Sequence, residues 1–446
     1  MGGSLIGPLR LPRSLRGAMT PVDVPLAAIA VVGGGQLARM LIQAAEPLGV
    51  AVHVQTPSTD DPAAPLAASL MRADLCDAQA TRELAQGCVA VSFENEWLDL
   101  EALRPLAAEG VRFLPSLDAL EPLVCKRSQR ELQQRLQLPA PRWFPLEAVL
   151  APPAPVELPA VPVGAAAQGS EAPAGPGAPG HPPEPPAGPQ LPAGFSFPLM
   201  AKAARGGYDG KGTVLLENLD DLEALLARVP ADTWIVEEFV AFEQELSLVA
   251  CRDGHGLVEC WPLVRTHQVQ QVCDWVLAPA SVPHAVEAYA RNVASSLLTA
   301  LGYVGVLSIE FFYGPAGLLI NEIAPRTHNS GHYTIEASTT SQFAQQARIV
   351  AGLPIGPTDL LVPGALMVNL LGIESGAGDY ASQREALARL EQAHLHWYDK
   401  NGSSPGRKLG HVTVLLQSAT PDERAVEAAQ RLAEVRSIWP LPPQAA

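Results

Sequence analysis

The residues best suited to chemistry lie close together between positions 307 and 332. Glu310 sits in one apolar run, a Gly-Pro-Ala-Gly turn follows at 314–317, and a second apolar run carries Asn321 and Glu322. Paired as a hairpin, the runs set Glu310 almost opposite Glu322, and carboxylates that close repel unless a cation lies between them. Hard oxygen ligands with positions left for phosphate suit Mg²⁺. Arg326, His328, Asn329 and Ser330 follow at once, an anion-binding and hydrogen-bonding set on a loop bounded by Pro and Gly. A hairpin with two exposed acids and a polar loop reads the same way, and this stretch alone does not separate the two.

Three further segments have the residue types that hold phosphate. Gly33, Gly35 and Ala38 satisfy GxGxxA between an apolar run and an amphipathic one, the context for phosphate at a helix N-terminus. A nicotinamide cofactor would also need an acid after the second strand, and that strand ends Val54-Gln55-Thr56. The turn therefore fits a nucleotide-like substrate better than a dinucleotide. A strand delivers Lys202 into the loop Arg205-Gly206-Gly207-Tyr208-Asp209-Gly210-Lys211-Gly212, with another strand after it. Glycines let backbone N–H groups approach phosphate oxygens, and the two lysines add point charges. Lys400, Arg407, Lys408 and His411 crowd a Gly/Ser/Pro turn between two strands of an acidic chain.

Other polar residues stand at element ends. Glu94, Asn95 and Glu96 close a strand where an open α/β sheet meets its ligand. Glu237 and Glu238 end another strand and Glu245 opens the next; such a segment can dock a nucleotide base and hold ribose hydroxyls. Lys126, Arg127 and Arg130 lie on one amphipathic stretch over 117–141, read as a single helix whose basic face is solvated. His267 reads equally well as a surface histidine.

The elements that must position these groups follow from the patterning. Strand, glycine turn, helix and strand alternate from 28 to about 125; strands and a long helix at 281–303 precede the glutamate hairpin; 334–352 reads as one helix. Residues 151–190 hold 13 prolines, much Ala and Gly and neither Lys nor Arg, a composition that cannot offset its ordering entropy, so we expect a disordered insertion. The 446 residues are too many for one core. With 30 basic and 46 acidic residues the net charge is −16, which disfavours nucleic acid or an anionic membrane as partner. No apolar run reaches the ~20 residues a membrane helix needs. The six cysteines form no CxxC pair, so free thiols in a reducing compartment are expected. Arg10, Arg13 and Arg16 without acids make the start a ragged extension, with organelle targeting left open.

In order, VVGGGQLARML, KAARGGYDGKG, EEFVAFEQELS, YVGVLSIEFF, NEIAPRTHNSGHYTIEA with SQF, and HWYDKNGSSPGRKLGHVTV resemble the ATP-grasp ligases, and among them the carboxyaminoimidazole ribonucleotide synthase family. The resemblance spans about 28–415 and implies an ATP-grasp fold of mixed α/β and α+β class. Its parts would be a Rossmann-like N-terminal domain (28–125), an ATP-grasp region (126–150 and 194–370) with its lid at about 194–240, and a C-terminal domain (371–446). The extension 1–27 and the insertion 151–193 lie outside that plan. It implies ATP, bicarbonate and 5-aminoimidazole ribonucleotide as substrates, Mg²⁺ or Mn²⁺ as the cation, a cytoplasmic homodimer, and the mutase subunit of the carboxylase as functional partner.

By position, the resemblance gives ATP to Lys126, Lys202, Gly206, Gly207, Tyr208, Asp209, Gly210, Lys211, Gly212, Glu237, Glu238, Phe239, Val240, Glu245, His267, Asn321 and Glu322. It gives the metal to Glu310 and Glu322, and catalysis to Arg326, His328, Asn329 and Lys400. The ribonucleotide would meet Gly35, Gln36, Leu37, Glu94, Tyr208, Lys211, Lys400, Arg407 and Lys408. The chain departs from the family pattern at Cys125-Lys126 and at 266–271, where it reads Thr-His-Gln-Val-Gln-Gln, which leaves His267 without a clear part. A formate-using transformylase of the same superfamily is the nearest rival. A nicotinamide-dependent oxidoreductase and a non-catalytic nucleotide-binding subunit are the readings from other classes.

Overall fold

A computed structural model of the chain describes residues 27–150, 188–206 and 212–443. The extension up to 26, residues 151–187 of the insertion, and Gly207, Tyr208, Asp209, Gly210 and Lys211 of the glycine loop lie outside the described residues.

Strands β1 (Ala28–Val32), β2 (Ala51–Thr56), β3 (Ser69–Arg72) and β4 (Val91–Phe93) form a parallel sheet in the order β3-β2-β1-β4. Ile29, Ala30, Val31 and Val32 are all buried, as a strand covered on both faces requires. The order reverses between β1 and β4, so the crevice at their C-terminal ends holds both the glycine turn and Glu94.

A second sheet joins β5 (Trp143–Pro145), β6 (Leu199–Ala203), β7 (Thr213–Leu216) and β8 (Trp234–Glu238) in the order β5-β8-β6-β7. This sheet, which holds the segment expected as the lid and is called the lid sheet below, also takes in β5 from before the Pro-rich insertion, so the insertion falls in sequence between β5 and β6. Both neighbours pair with β8, and that shared partner closes the sheet across the insertion.

The large sheet contains nine strands: β9 (Gln244–Arg252), β10 (Val258–Cys260), β11 (Val264–Val269), β12 (Val272–Ala278), β13 (Gly305–Gly314), β14 (Gly317–Ala324), β15 (Gly364–Leu371), β16 (Ala393–Trp397) and β17 (Lys408–Leu416). Its path β14-β13-β9-β11-β12-β15-β17-β16 carries the C-terminal strands on the same sheet as the glutamate hairpin. The helix His284–Ala300 buries Ala290, Val293, Ala294, Leu297 and Leu298, a single stripe at 3.6-residue spacing, in one core with Leu246, Leu248, Leu307 and Ile309.

Two expected helices are broken. The 117–141 stretch divides into Leu117–Leu120, a 3₁₀ turn Glu121–Leu123 and a helix Lys126–Arg135. Pro122 offers no N–H to continue a helix and Cys125 is extended, so the chain restarts at Lys126, whose own N–H donates to the Ala204 carbonyl at 2.8 Å. The 334–352 stretch likewise divides into Thr334–Ala337 and Gln342–Val350. Ser338 is extended, and the Ser341 hydroxyl caps the second helix by accepting from the Ala344 N–H at 3.1 Å. That helix joins the N-terminal domain to the large sheet, with Phe343, Ala347 and Val350 sharing a core with Leu37 and Leu41.

Leu297, fully buried under the hairpin's sheet, sets the stability of this layer. Leu297→Ala should cost about 2–5 kcal/mol in urea unfolding, and a midpoint equal to the parent chain's would show that the stripe does not carry the layer.

Candidate active site

Strands β13 and β14 place Glu310 and Glu322 in register. Past that pair the register slips, Phe311 opposes Ile320, and Asn321 becomes the extra residue of a β-bulge. In a regular strand Asn321 would face away from Glu322. Here its Oδ1 accepts from Lys202 Nζ at 3.0 Å and its Nδ2 donates to Glu310 Oε2 at 3.5 Å. Strand β9 adds Ser247 opposite Glu310 and Glu245 opposite Phe312, on the same face.

The two carboxylates differ in charge balance. Burial, then the nearby charges of Glu322 and Glu245, pushes Glu310 up to about 7. Burial alone also raises Glu322, but the ammonium of Lys126 bonded to it, with Lys202 and Arg326 near, brings it below the usual carboxylate range. Burial pushes Glu245 up to about 7 as well. The donor set fits a hard divalent cation that takes two facing carboxylates and fills its remaining positions with water and phosphate oxygens. Among the described residues no cluster of three or more His, Cys, Asp or Glu side chains makes a full metal cage.

Lys202 is held from behind. It sits two residues from Met200, the register partner of Glu237, so the two side chains meet diagonally on one face of the lid sheet. Glu237 is only 2% exposed; its Oε2 accepts from Lys202 Nζ at 2.8 Å and its Oε1 from Arg130 Nε at 2.6 Å. Burial opposes the charged form of Glu237, yet Lys202 and Arg130 hold its carboxyl at about 2. Arg130 also donates to the carbonyls of Ile320 at 3.0 Å and Asn321 at 2.7 Å. Of the basic helical face read as solvated, Arg130 is therefore a buried clamp, and each oxygen of Glu237 already accepts from one buried cation. Glu238, half-buried at the strand end, accepts from the Arg142 backbone N–H at 3.0 Å and Nε at 2.9 Å. Phe239 is exposed and Val240 half-buried in the link between the two sheets, and Gly206 and Gly212 border the glycine loop.

The loop after β14 is fixed at several points. Arg326 donates from Nε to Glu96 Oε2 at 2.7 Å. Gln342 clamps His328 by accepting its backbone N–H at 2.8 Å and donating to its carbonyl at 2.7 Å. The Ser330 backbone N–H donates to His328 Nδ1 at 3.3 Å, which leaves the imidazole proton on Nε2, 3.5 Å from Glu310 Oε1. Burial first, then Arg326 and Lys408, hold this imidazole well below its usual range, so it is neutral. Asn329 exchanges amide hydrogen bonds with the buried Asn369 of β15 at 2.9 and 2.7 Å.

A second group of residues faces the glycine turn. Glu94 accepts from the Leu37 N–H at 3.3 Å, at the N-terminus of the helix Gln36–Ala45. A Cβ on Gly35 would lie 2.4 Å from Glu94 Oε1, and one on Gly33 2.4 Å from Glu94 Cβ. The protein's own carboxylate thus stands where a dinucleotide pyrophosphate would sit. Burial raises Glu94, opposed by Asn95, Arg326, Leu37 and Lys400. Lys400 Nζ lies 5.5 Å from the Tyr398 ring centroid, and Lys408 bears on Glu310 and His328. Arg407 turns its Nη1 back to the carbonyls of Asn401 at 2.5 Å and Gly402 at 2.9 Å.

His267 falls outside this face. It pairs with Trp275 and stacks on its ring at 5.1 Å, on the side opposite Thr266 and Glu245, and its Nδ1 lies 3.2 Å from Asp274. Strand alternation therefore turns it away from the face that carries Glu245 and Glu310. The sequence did not mark Gln342, Arg130 or Asn369 as parts of the site; the Ser341-Gln342-Phe343 motif was the only trace of the first. Cys251, Cys260 and Cys273 are free and buried, as the cysteine spacing suggested.

Residues 26–123 match the ribonucleotide synthetase preATP-grasp domain, 188–343 the ATP-grasp domain, and 365–424 the phosphoribosylaminoimidazole carboxylase C-terminal domain. The N5-carboxyaminoimidazole ribonucleotide synthase of Synechococcus elongatus is 44% identical over 94% of this chain and 97% of its own. The chain belongs to the N5-carboxyaminoimidazole ribonucleotide synthase family. The enzyme of the same name from Bacillus subtilis is 32% identical over 88% of this chain and 92% of its own. Among solved structures, the Thermus thermophilus synthetase has a TM-score of 0.74 at 30% identity, covering 94% of this chain and all of that one. The Aspergillus clavatus synthase in complex with ADP and 5-aminoimidazole ribonucleotide has a TM-score of 0.73 at 25% identity, covering 92% and 98%. The chain is thus an ATP-grasp ligase that converts 5-aminoimidazole ribonucleotide to its N5-carboxy derivative in purine biosynthesis. The transformylase and oxidoreductase readings fall away.

Glu237 neutralises two buried cations, so Glu237→Gln should destabilise the lid by about 3–5 kcal/mol. Its folded pKa lies below the ordinary carboxylate value, so this stabilisation is present above about pH 4.3 and is lost as pH falls towards 2. Acid unfolding followed by circular dichroism should be less steep in the variant, and an unchanged acid limb would mean that Glu237 titrates normally.

Proposed function

We propose that bicarbonate is the carboxyl donor and that the two halves of the 307–332 stretch divide the work. His328 Nε2 lies 3.5 Å from Glu310 Oε1, which supports a γ-phosphate and its cation meeting the carboxyl donor at the strand-to-loop junction. Lys202, Asn321 and the glycine loop would hold the ATP phosphates. Glu238, Phe239, Val240 and Glu245 would line the nucleoside, with Glu237 acting through Lys202. Glu310 and Glu322 would hold Mg²⁺, which supplies charge neutralisation on the phosphates when bound.

On this reading a bicarbonate oxygen attacks the γ-phosphorus while the bond to the β-phosphate oxygen breaks, giving ADP and carboxyphosphate. Outward N–H groups of Arg326 and the neutral His328 Nε2–H stabilise the developing oxyanion, and Asn329 orients the planar donor. The exocyclic amine of the ribonucleotide then bonds to the carboxyl carbon, or to CO₂ released from it, as phosphate leaves and the amine loses a proton. Glu94 accepts from the imidazole side of that substrate, and Lys400, Lys408 and Arg407 bear on its phosphate, with Gly35, Gln36 and Leu37 forming the floor. We also propose a cytoplasmic homodimer that hands its labile product to a mutase; no helix of the described residues is long and apolar enough to cross a membrane.

Phosphate release from ATP should require aminoimidazole ribonucleotide and rise with bicarbonate; better turnover with formate in the same coupled assay would reject the donor. Glu322→Gln removes charge from the cation side while Lys126 keeps a polar partner. Turnover should fall at least a hundredfold with an unchanged circular dichroism spectrum, and full activity would remove the metal assignment.

A further inference from the structure

Arg326 is surrounded by acids from two domains. Glu96, at the end of the β4 segment, receives its Nε at 2.7 Å and its Nη2 at 3.4 Å, and both side chains are about four-fifths sheltered, at 22% and 21% exposure. Nη1 donates to the neighbouring Thr327 carbonyl at 3.2 Å. Among the described contacts this leaves one N–H on each terminal nitrogen turned outward. Two other carboxylates also attract the same guanidinium, Glu94 beside the glycine turn and Glu322 on the hairpin. Glu94 belongs to the amine-acceptor pocket and Glu322 to the cation pair, so a guanidinium drawn to either would leave the carboxyl-donor site and occupy a group needed elsewhere.

We infer that Glu96 is a positioning residue that keeps Arg326 off Glu94 and Glu322 and so couples ATP cleavage to carboxylation of the ribonucleotide. The inference rests on the placement of Arg326 in the carboxyl-donor pocket. Three consecutive residues carry the coupling. Glu94 caps the helix at the glycine turn, Asn95 donates to Glu94 at 3.3 Å, and Glu96 reaches from the N-terminal domain to the loop that follows β14. Glu94 and Glu96 are thus separated by only two peptide units, so the ribonucleotide side and Arg326 share one short stretch of backbone. Gln346, which donates to Ser92 Oγ of β4 at 2.9 Å and accepts the Val306 N–H of β13 at 2.7 Å, keeps the two strands at fixed separation.

The test compares Glu96→Gln with Arg326→Lys and with the double variant in the full chain. It measures KM for bicarbonate and for ATP, and the phosphate released per ribonucleotide carboxylated. Glu96→Gln should raise the bicarbonate KM about tenfold, leave the ATP KM within about twofold, and raise the phosphate-to-product ratio above one. In the Arg326→Lys background it should add nothing further, because the two act as one unit. If Arg326→Lys raises the bicarbonate KM and Glu96→Gln does not, the positioning role is overturned while the donor pocket stands. If neither moves it, the donor pocket and the inference fall together. Additive effects, or an ATP KM that rises in step, would also overturn it, since both mean that Glu96 acts on general structure.

Discussion

The buried contact of Arg130, Glu237 and Lys202 joins the helix Lys126–Arg135, the lid sheet and the glutamate hairpin at one point. Two cations and one carboxylate removed from water are costly unless every strong donor finds an acceptor, and here Arg130 closes on Glu237, Gln133 and two carbonyls of β14. The arrangement fixes the spacing between the two antiparallel sheets. It also leaves Lys202 facing Asn321 while its other side is neutralised. Burial lowers the Lys202 pKa, and the charge of Glu237 opposes that shift. The break at Pro122 and Cys125 serves the same end, because an unbroken helix would not present Lys126 to Glu322.

Outward from that contact the site alternates in sign. Lys126 balances Glu322, Glu96 balances Arg326, and Lys400 and Lys408 face Glu94 and Glu310. A chain of net charge −16 can attract anionic substrates only where basic groups are gathered locally, and they are gathered from three separate parts of the chain. The C-terminal strands contribute because the large sheet is continuous, so β17 and the hairpin β13–β14 belong to one rigid surface.

Much of this was legible in the linear order. The GxGxxA turn, the strand–glycine loop–strand around Lys202 and the facing of Glu310 and Glu322 all follow from local patterning. Backbone periodicity is set by near neighbours, so such features survive without tertiary knowledge. The readings that changed involved groups whose surroundings come from elsewhere in the chain. Arg130 looked like a solvated helical base and is buried; Glu237 looked like a strand-end acid beside a nucleotide and is held between two buried cations; His267 lies on the far side of its strand. In each case a residue type with two reasonable environments was decided by which element packed on it.

The sequence by itself determined the family, the order of elements, and which stretches carry the residue types that phosphate, cation and carboxyl-donor chemistry would use, because motifs of that length record both spacing and residue type. Tertiary structure alone decided which of those residues meet. The bulge at Asn321 depends on a register slip between two strands. The grip of Glu96 on Arg326 and of Gln342 on His328 depends on domains and helices docked through Phe343, Leu37 and their neighbours. Contacts between residues 14 to 230 positions apart have no local signature. They exist only once the cores have packed, since burial fixes the distances and removes the water that would otherwise compete for the same hydrogen bonds.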